Sequence, residues 1–413
     1  AAAGMAVTVF LGPLPGLFFI LVSSAMTGLV FDRSLPLFFY ALTGSLIGWA
    51  GLVRVRERSA VIRSGLMVGV VNLGTIVALS LIEAIPFGRG AMYYLLAGLL
   101  SGILSGVIVA GLIPLFEIVF KYTTNIKLLE LANLDNPVLR ELMVQAPGTY
   151  HHSVIIGAMV EAAAESIGAN PLLAKVSAYY HDLGKMNKPL YFVENQTSGE
   201  NKHEKLAPSL SALILISHVK DGVELARQHK LSPEITNIIW QHHGTSLIAY
   251  FYHKAQTLRT EDQPEINFED YRYPGPKPQT REAGLVMLAD AVEAASRSMA
   301  EPNPARIQGL VQKIINNIFS DGQLDECELT LKDLHLISRS FNKILTGIFH
   351  RRIAYPEPVA KDSTGQRKVT SDGTGKIKVT NEHQSKQPPK EAVDKVRSSQ
   401  GQGKGDLKRL GLS

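Results

Sequence analysis

Four apolar runs follow one another in the first third of the chain, over residues 13–31, 36–53, 63–85 and 92–120. Each is long enough to cross a bilayer as a helix, which takes about 20 residues. Charges fall only at their edges and at Glu83 and Glu117. A single such run fits a buried helix of a soluble protein, but four in succession predict a membrane region over residues 1–120. The residues before Gly12 read as the end of an earlier span. The chain opens AAAGM, without an initiator methionine, a charged start or a cleavage site, so a missing upstream part is expected rather than a signal peptide.

The pattern then changes period. Apolar positions recur at helical spacing over about 151–167, 171–183, 207–221, 233–243, 247–259, 281–299, 304–319 and 330–352. Asn170-Pro171, Ser232-Pro233 and Thr280 stand where helices should begin, with a capping side chain and, in two cases, proline in the first turn. Gly168, Gly184, Gly222 and Gly244 stand at the matching ends, where a left-handed cap suits glycine. Nothing alternates at period two between turns. The expected fold is therefore all-α: a multi-span membrane region (1–120), a helical bundle (121–353) and a polar tail (354–413). The stretch 260–279 holds four prolines and is too long for a plain connector, which suggests a lid or a packed surface loop. The tail is rich in Ser, Gly, Lys, Gln and Pro and cannot bury a core, so it is expected to be disordered.

Charge fixes orientation more than it indicates a partner. The formal net charge is +5 and the pI about 9.0, but the basic residues are unevenly spread, and no nucleic-acid polymer is expected to bind. Residues 54–63 (RVRERSAVIR) carry four arginines, and Lys121 and Lys127 follow the last span; the loops at 32–35 and 86–90 hold one arginine each. The positive-inside rule places the Arg-rich loop and everything after residue 120 in the cytoplasm of a bacterial inner (cell) membrane protein. Cys327 is the sole cysteine, which excludes an internal disulfide framework and a multi-cysteine zinc site.

Most of the twelve histidines fall between 151 and 243. TYHHS places His151 and His152 at a helix start, and YYHDLGKMNKP places His181 and Asp182 at a helix end. LILISHVKDG supplies His218, IIWQHHGTS supplies His242 and His243, and VMLADAVEA sets Asp290 inside a helix. Any one of these histidines is ordinarily a satisfied core or surface residue. A carboxylate within an apolar helix is harder to explain unless it is paired or ligates a metal. Imidazoles and carboxylates without thiolates suit Mn, Fe, Co or Zn. A histidine of the first helix, His181-Asp182 and Asp290 would hold one ion, and His218, His242 and His243 a second, with Asp182 bridging the two. Paired ions about 3.5–4 Å apart are a recurring means of attacking phosphate esters.

The order H…HD…H…HH…D, centred on HDLGK, resembles the HD superfamily of metal-dependent phosphohydrolases over roughly 151–299. With the preceding spans, TTNIKLLELANLDNPVLRELMVQAPGTYHHS, KPLYFVENQ, SALILISHVKDG and QHHGTSLIAYFYHKA, the chain is more specifically similar to the seven-transmembrane HD-domain family, whose studied members are PgpH-type cyclic di-AMP phosphodiesterases. The resemblance implies metal ligands at His152, His181, Asp182, His218, His242, His243 and Asp290, His152 being preferred to His151 because the family's ligand precedes the serine directly. It implies two divalent transition-metal ions, Mn or Fe, and hydrolysis of cyclic di-AMP to linear pApA by a metal-bridging hydroxide. Expected partners are the cyclic dinucleotide and the lipid bilayer, with a homodimer left open.

Lys185 is expected to contact a phosphate oxygen, although a solvated lysine favoured by the end of a helix is the plainer reading. Thr245 and Lys254 are further substrate-binding candidates, with Ser246 near them; all three equally suit ordinary capping and surface roles. Two features depart from the family: only about four spans without a large extracytoplasmic domain, and the long basic tail. The alternatives are an HD enzyme acting on cyclic di-GMP, (p)ppGpp or a nucleotide monophosphate, and a nucleotide-sensing receptor without turnover. HHGTS, where the cyclic di-GMP subgroup carries a GYP signature, disfavours that subgroup.

Overall fold

The structure is a computed structural model that describes residues 1–53, 57–84, 86, 88–196, 201–260, 262, 264–299 and 301–349. The expected disordered tail at 354–413 lies outside the described residues. Fifteen α-helices are formed among those described, without a strand. The first five are α1 (Ala2–Leu11), α2 (Pro13–Val30), α3 (Leu35–Leu52), α4 (Ser59–Ile82) and α5 (Arg89–Phe120). Four of these, α2 to α5, are long and apolar enough to cross a membrane.

Their side chains are sorted by size rather than by polarity. Many inward positions are small: Gly16, Ser24 and Gly28 on α2, Gly44, Ser45 and Gly48 on α3, Gly65 and Gly69 on α4, Gly98, Gly102 and Gly106 on α5, beside a few larger ones such as Ile20, Val68 and Ile113. Large apolar groups such as Leu14, Phe18, Leu66, Met67 and Leu104 point outward. Such sorting is expected where lipid solvates the outer face, because apolar burial then supplies no drive and close backbone packing holds helices together. Gly65 and Gly69 meet Gly102 and Gly106 so tightly that an added Cβ on Gly65 or Gly102 would strike the facing backbone. Asn72 is buried between these helices and donates to Ser101 Oγ at 3.1 Å and Tyr40 Oη at 3.3 Å.

The second half of the chain packs against one end of these helices. After Lys121, which turns the chain in a left-handed conformation (φ 51°), come α6 (Asn125–Leu131), α7 (Pro137–Gln145), α8 (Pro147–Ile167), α9 (Pro171–Tyr180) and α10 (Pro208–Gln228). They are followed by α11 (Pro233–Gln241), α12 (Ala249–Leu258), α13 (Arg281–Arg297), α14 (Pro304–Ser320) and α15 (Leu331–Ile348). Arg58, before α4, makes a bidentate pair with Glu130 of α6 (2.5 and 3.1 Å) and lies 3.7 Å from Glu117 of α5. Thr123 is hydrogen-bonded to Glu234 of α11 and Thr124 to Glu117. The end of the Arg-rich segment and the helical bundle therefore share one side of the apolar helices.

Helix α8 lies at the centre of the bundle. One face, with Ile156, Met159, Val160 and Ala163, joins Leu285, Leu288 and Val292 of α13, Val311 of α14 and Phe341 of α15 in the larger core. The smaller core gathers Leu128, Leu139, Leu142, Tyr180, Leu183, Ile235 and Ile239, and the Tyr180 hydroxyl donates to Leu131 O at 2.9 Å. Asn170 and Thr280 cap α9 and α13 as expected, accepting from Leu173 N and Ala283 N.

Several boundaries differ from expectation, most for a local reason. Helices α6 and α7 were not anticipated, although Thr124 and Asn136-Pro137 start them; α6 has only seven residues in which to show a period. Ser232 precedes α11 without a side-chain cap. Helix α9 stops at Tyr180, so HDLGK lies on the turn into a 3₁₀ segment, Leu183–Asn187. Gly222 caps nothing: α10 runs through it, because a residue without Cβ is needed where the HDLGK turn crosses this helix. The stretch 260–279 is packed where described: the 3₁₀ turn Phe268–Tyr271 precedes a pairing in which Ile248 N donates to Tyr271 O (2.8 Å) and Tyr273 N to Ser246 O (3.0 Å).

At that crossing Gly184 lies against the His218 carbonyl and Gly222 N, and an added Cβ would enter backbone on both sides. Gly184→Ala is therefore expected to cost about 3 kcal/mol, the upper part of the usual overpacking range. Gly222→Ala would meet the Ile239 side chain at 3.0 Å and Gly184 N at 3.3 Å, tight contacts but not backbone overlap, and should cost less, about 1 kcal/mol. Thermal unfolding of the detergent-solubilised variants checks the order; equal midpoints would show that the crossing is slack.

Candidate metal centre

Three of the proposed ligands are oriented by the same device. His181, His218 and His242 each direct Nδ1–H to the carbonyl three residues earlier: Ala178 (2.7 Å), Leu215 (2.5 Å) and Ile239 (2.6 Å). A helical backbone thus fixes the tautomer and turns Nε2 inward. His181 and His242 follow the last turns of α9 and α11, and His218 sits inside α10 beside the HDLGK turn.

The inward atoms converge as two groups. His152, His181, Asp182 and Asp290 form one, His218, His242 and His243 the other, and within each group the candidate ligand atoms all lie within 4.8 Å of one another. Asp182 stands between them, 1% exposed. Its Oδ2 is 3.2 Å from His181 Nε2 and 3.6 Å from His152 Nε2, and its Oδ1 is 3.4 Å from His218 Nε2 and 3.7 Å from His242 Nε2. Asp290 faces His152 Nε2 with Oδ1 (3.0 Å) and His243 Nδ1 with Oδ2 (3.6 Å).

The polar accounting fits a cation. His181 Nε2 and both Asp182 oxygens are buried without a hydrogen-bond partner. Lys185 Nζ comes within 2.7 Å of Asp182 Oδ2 but outside hydrogen-bonding direction. With Oδ2 paired to that ammonium, His181 Nε2 and Asp182 Oδ1 are left without a partner in one place, at a cost of about 1–3 kcal/mol each, and a borderline cation bound by nitrogen and oxygen donors would satisfy both.

The electrostatics divide the imidazoles. Burial and the neighbouring His242 press His243 well below the usual imidazole range, and burial takes His218 down to about 3, so both present neutral rings. Burial opposes the charge of His181, but Asp182 outweighs it and carries the pKa up to about 10. Asp182 and Asp290 stay ionised against burial through His181 and Lys185 in one case and His152 and His181 in the other. Burial alone would neutralise Lys185, yet Asp182 and Glu194 hold it charged, and Lys185 in turn keeps Glu194 ionised.

The structure brings all seven expected ligands together, with Lys185 at their edge over the Phe192 ring (5.0 Å). Thr245 and Lys254 are placed otherwise. Thr245 N donates to Gln323 Oε1 (2.9 Å) and its hydroxyl accepts from Gln323 Nε2 (3.0 Å), so the buried Gln323 uses its polar groups. Lys254 lies on α12 near His203, where burial and the Lys254 charge lower the His203 pKa; it forms no ion pair with Asp182 or Asp290 among the described residues.

Four residues around the centre have no place in the sequence expectation. Glu194 Oε1 accepts from Lys185 Nζ (2.9 Å) and Thr149 Oγ1 (3.1 Å). Glu293 Oε2 meets His152 Nδ1 at 2.5 Å. The Tyr273 ring stacks on His243 at 4.2 Å, and Gln323 holds Thr245. Only Glu293 had a usable signal, since it follows Asp290 by one helical turn and so shares its face.

Residues 1–124 match the family described as 7TM receptor with intracellular HD hydrolase, and residues 149–295 match the HD domain. The cyclic-di-AMP phosphodiesterase PgpH of Bacillus subtilis (strain 168) is 46% identical over 323 residues, 78% of this chain and 45% of the relative. That of Listeria monocytogenes serotype 1/2a (strain 10403S) is 42% identical over 316 residues, 76% of this chain and 44% of the relative. The chain thus spans less than half the length of these curated relatives. The crystal structure of the L. monocytogenes phosphodiesterase PgpH HD domain in complex with cyclic-di-AMP is 44% identical, with a TM-score of 0.50, over 52% of this chain and all of that one.

Proposed function

Because the chain belongs to the family of seven-transmembrane receptors with an intracellular HD hydrolase, we propose that it is a membrane-anchored, metal-dependent phosphodiesterase that hydrolyses cyclic di-AMP to linear pApA. The observation that carries this reading is Asp182, whose two buried oxygens each face a separate group of imidazoles. The ligands would be His152, His181, Asp182 and Asp290 for one ion and His218, His242, His243 and the second oxygen of Asp182 for the other. The nitrogen and oxygen donor set suits Mn, Fe, Co or Zn, and the family resemblance supports Mn or Fe among them. When bound, two such ions supply an acidified water and neutralise charge that develops on phosphoryl oxygens.

The chain's own groups supply the rest. Neutral His218 and His243 offer lone pairs without competing protons. Lys185, kept charged by Asp182 and Glu194, would contact a non-bridging phosphoryl oxygen. Glu194 limits the motion of that ammonium, and Thr149 limits that of Glu194. The Tyr273 ring backs His243 and closes one wall. Arg58, at the described end of the Arg-rich segment and on the same side as the bundle, supports a cytoplasmic placement of the site in a bacterial cell membrane.

The solubilised chain, loaded anaerobically with Mn²⁺, is expected to carry about two transition-metal ions per polypeptide and to convert cyclic di-AMP to pApA faster than it turns over cyclic di-GMP. Elemental analysis and product chromatography on both substrates, side by side, test this. One ion or none would defeat the paired centre. Two ions without turnover would favour a nucleotide-binding receptor, and faster cyclic di-GMP hydrolysis would reassign the substrate.

A further inference from the structure

Among the histidines whose Nδ1 is hydrogen-bonded at the centre, His152 alone is held by a carboxylate. His181, His218 and His242 give Nδ1–H to backbone carbonyls, which are neutral. His152 Nδ1 instead meets Glu293 Oε2 at 2.5 Å, and the other oxygen of Glu293 accepts from Arg297 Nε at 2.6 Å. Glu293 is 2% exposed, whereas the Arg297 side chain is 32% exposed. Asp290, Glu293 and Arg297 follow one another on a single face of α13 at i, i+3 and i+7. One helix thus contributes a candidate ligand, the group that orients a second, and the cation that pairs with that group.

We infer that Glu293, steadied by Arg297, is a positioning residue that strengthens His152 as a ligand and so makes the His152–His181–Asp182–Asp290 position the tighter of the two ion sites. This rests on the paired-ion reading of the centre. A carboxylate accepting Nδ1–H fixes the ring as the backbone carbonyls do, and its negative charge also makes Nε2 the more basic nitrogen, an effect that neutral carbonyls produce only weakly. Outer partners of this kind ordinarily change metal affinity 10- to 100-fold. The three imidazoles of the other group have no carboxylate partner at Nδ1 except His243, whose Nδ1 lies 3.6 Å from Asp290, itself a proposed ligand. The two positions should therefore fill in order as metal is added, the one beside Glu293 first.

Stepwise Mn²⁺ titration of the solubilised chain against a competing chelator tests the inference without reference to turnover. Glu293→Gln keeps the size of the side chain and an oxygen that can accept from Nδ1–H, but removes the charge. It is expected to weaken the tighter of the two Mn²⁺ affinities about 10- to 100-fold and leave the weaker one unchanged. Arg297→Gln, on a half-buried side chain whose loss should spare the fold, is expected to weaken the same ion by a smaller factor. Affinities in Glu293→Gln equal to those of the unaltered chain would overturn the inference, as would equal loss at both positions or an Arg297→Gln protein indistinguishable from the unaltered chain. Should the unaltered chain fail to take two ions, the paired centre itself is refuted, which is a different result.

Discussion

Replacing Asp182 with alanine is expected to release both ions and lower hydrolysis at least about 10³-fold, since more is lost than one preorganised contact to a developing charge. The expectation follows from a carboxylate that turns one oxygen toward His152 and His181 and the other toward His218 and His242. His218→Ala removes a ligand from one group only, so it should weaken a single ion and leave the other in place. Metal content and helical circular dichroism, measured together on both variants, separate loss of the bridge from loss of the fold. An Asp182→Ala chain that kept two ions and full activity would refute the bridging role.

Lys185→Ala should behave in the opposite way, with both ions retained and turnover reduced about 10²- to 10³-fold, the usual loss for one contact to a developing charge. Its ammonium pairs with Asp182 and Glu194 and supplies no metal-ligand atom. Removing it from the ion-free protein leaves two buried carboxylates without their cation, a change that commonly costs 3–5 kcal/mol. Metal at the centre offsets part of that charge. The comparison therefore belongs in the loaded protein, with kcat and metal content read on the same sample. Loss of an ion from Lys185→Ala would show that the lysine organises Asp182 and does not meet substrate.

The four membrane-length helices and most of the bundle helices could be read from the chain because their signals act within a turn or two. Asn170 caps a helix through its own third neighbour, as does Thr280, and an apolar period is visible without any partner. The candidate ligands drew notice for a related reason: an Asp290 inside an apolar helix and a His181-Asp182 pair are costly residue types that few roles other than a metal explain. Short α6 escaped because seven residues hold too little period to see; α7 was missed although Asn136-Pro137 opens it and it is as long as the anticipated α11. Gly222 was misread as a helix end because its real neighbour is Gly184, which the sequence sets far away and the crossing brings into contact. Only tertiary packing decided that Gln323 takes the polar groups of Thr245 from 78 residues away and that Glu293 reaches His152 across 141. Capping and periodicity are local energies written into neighbouring residues. The aim of a carboxylate depends on where two distant helices come to rest, and that is settled by the core between them.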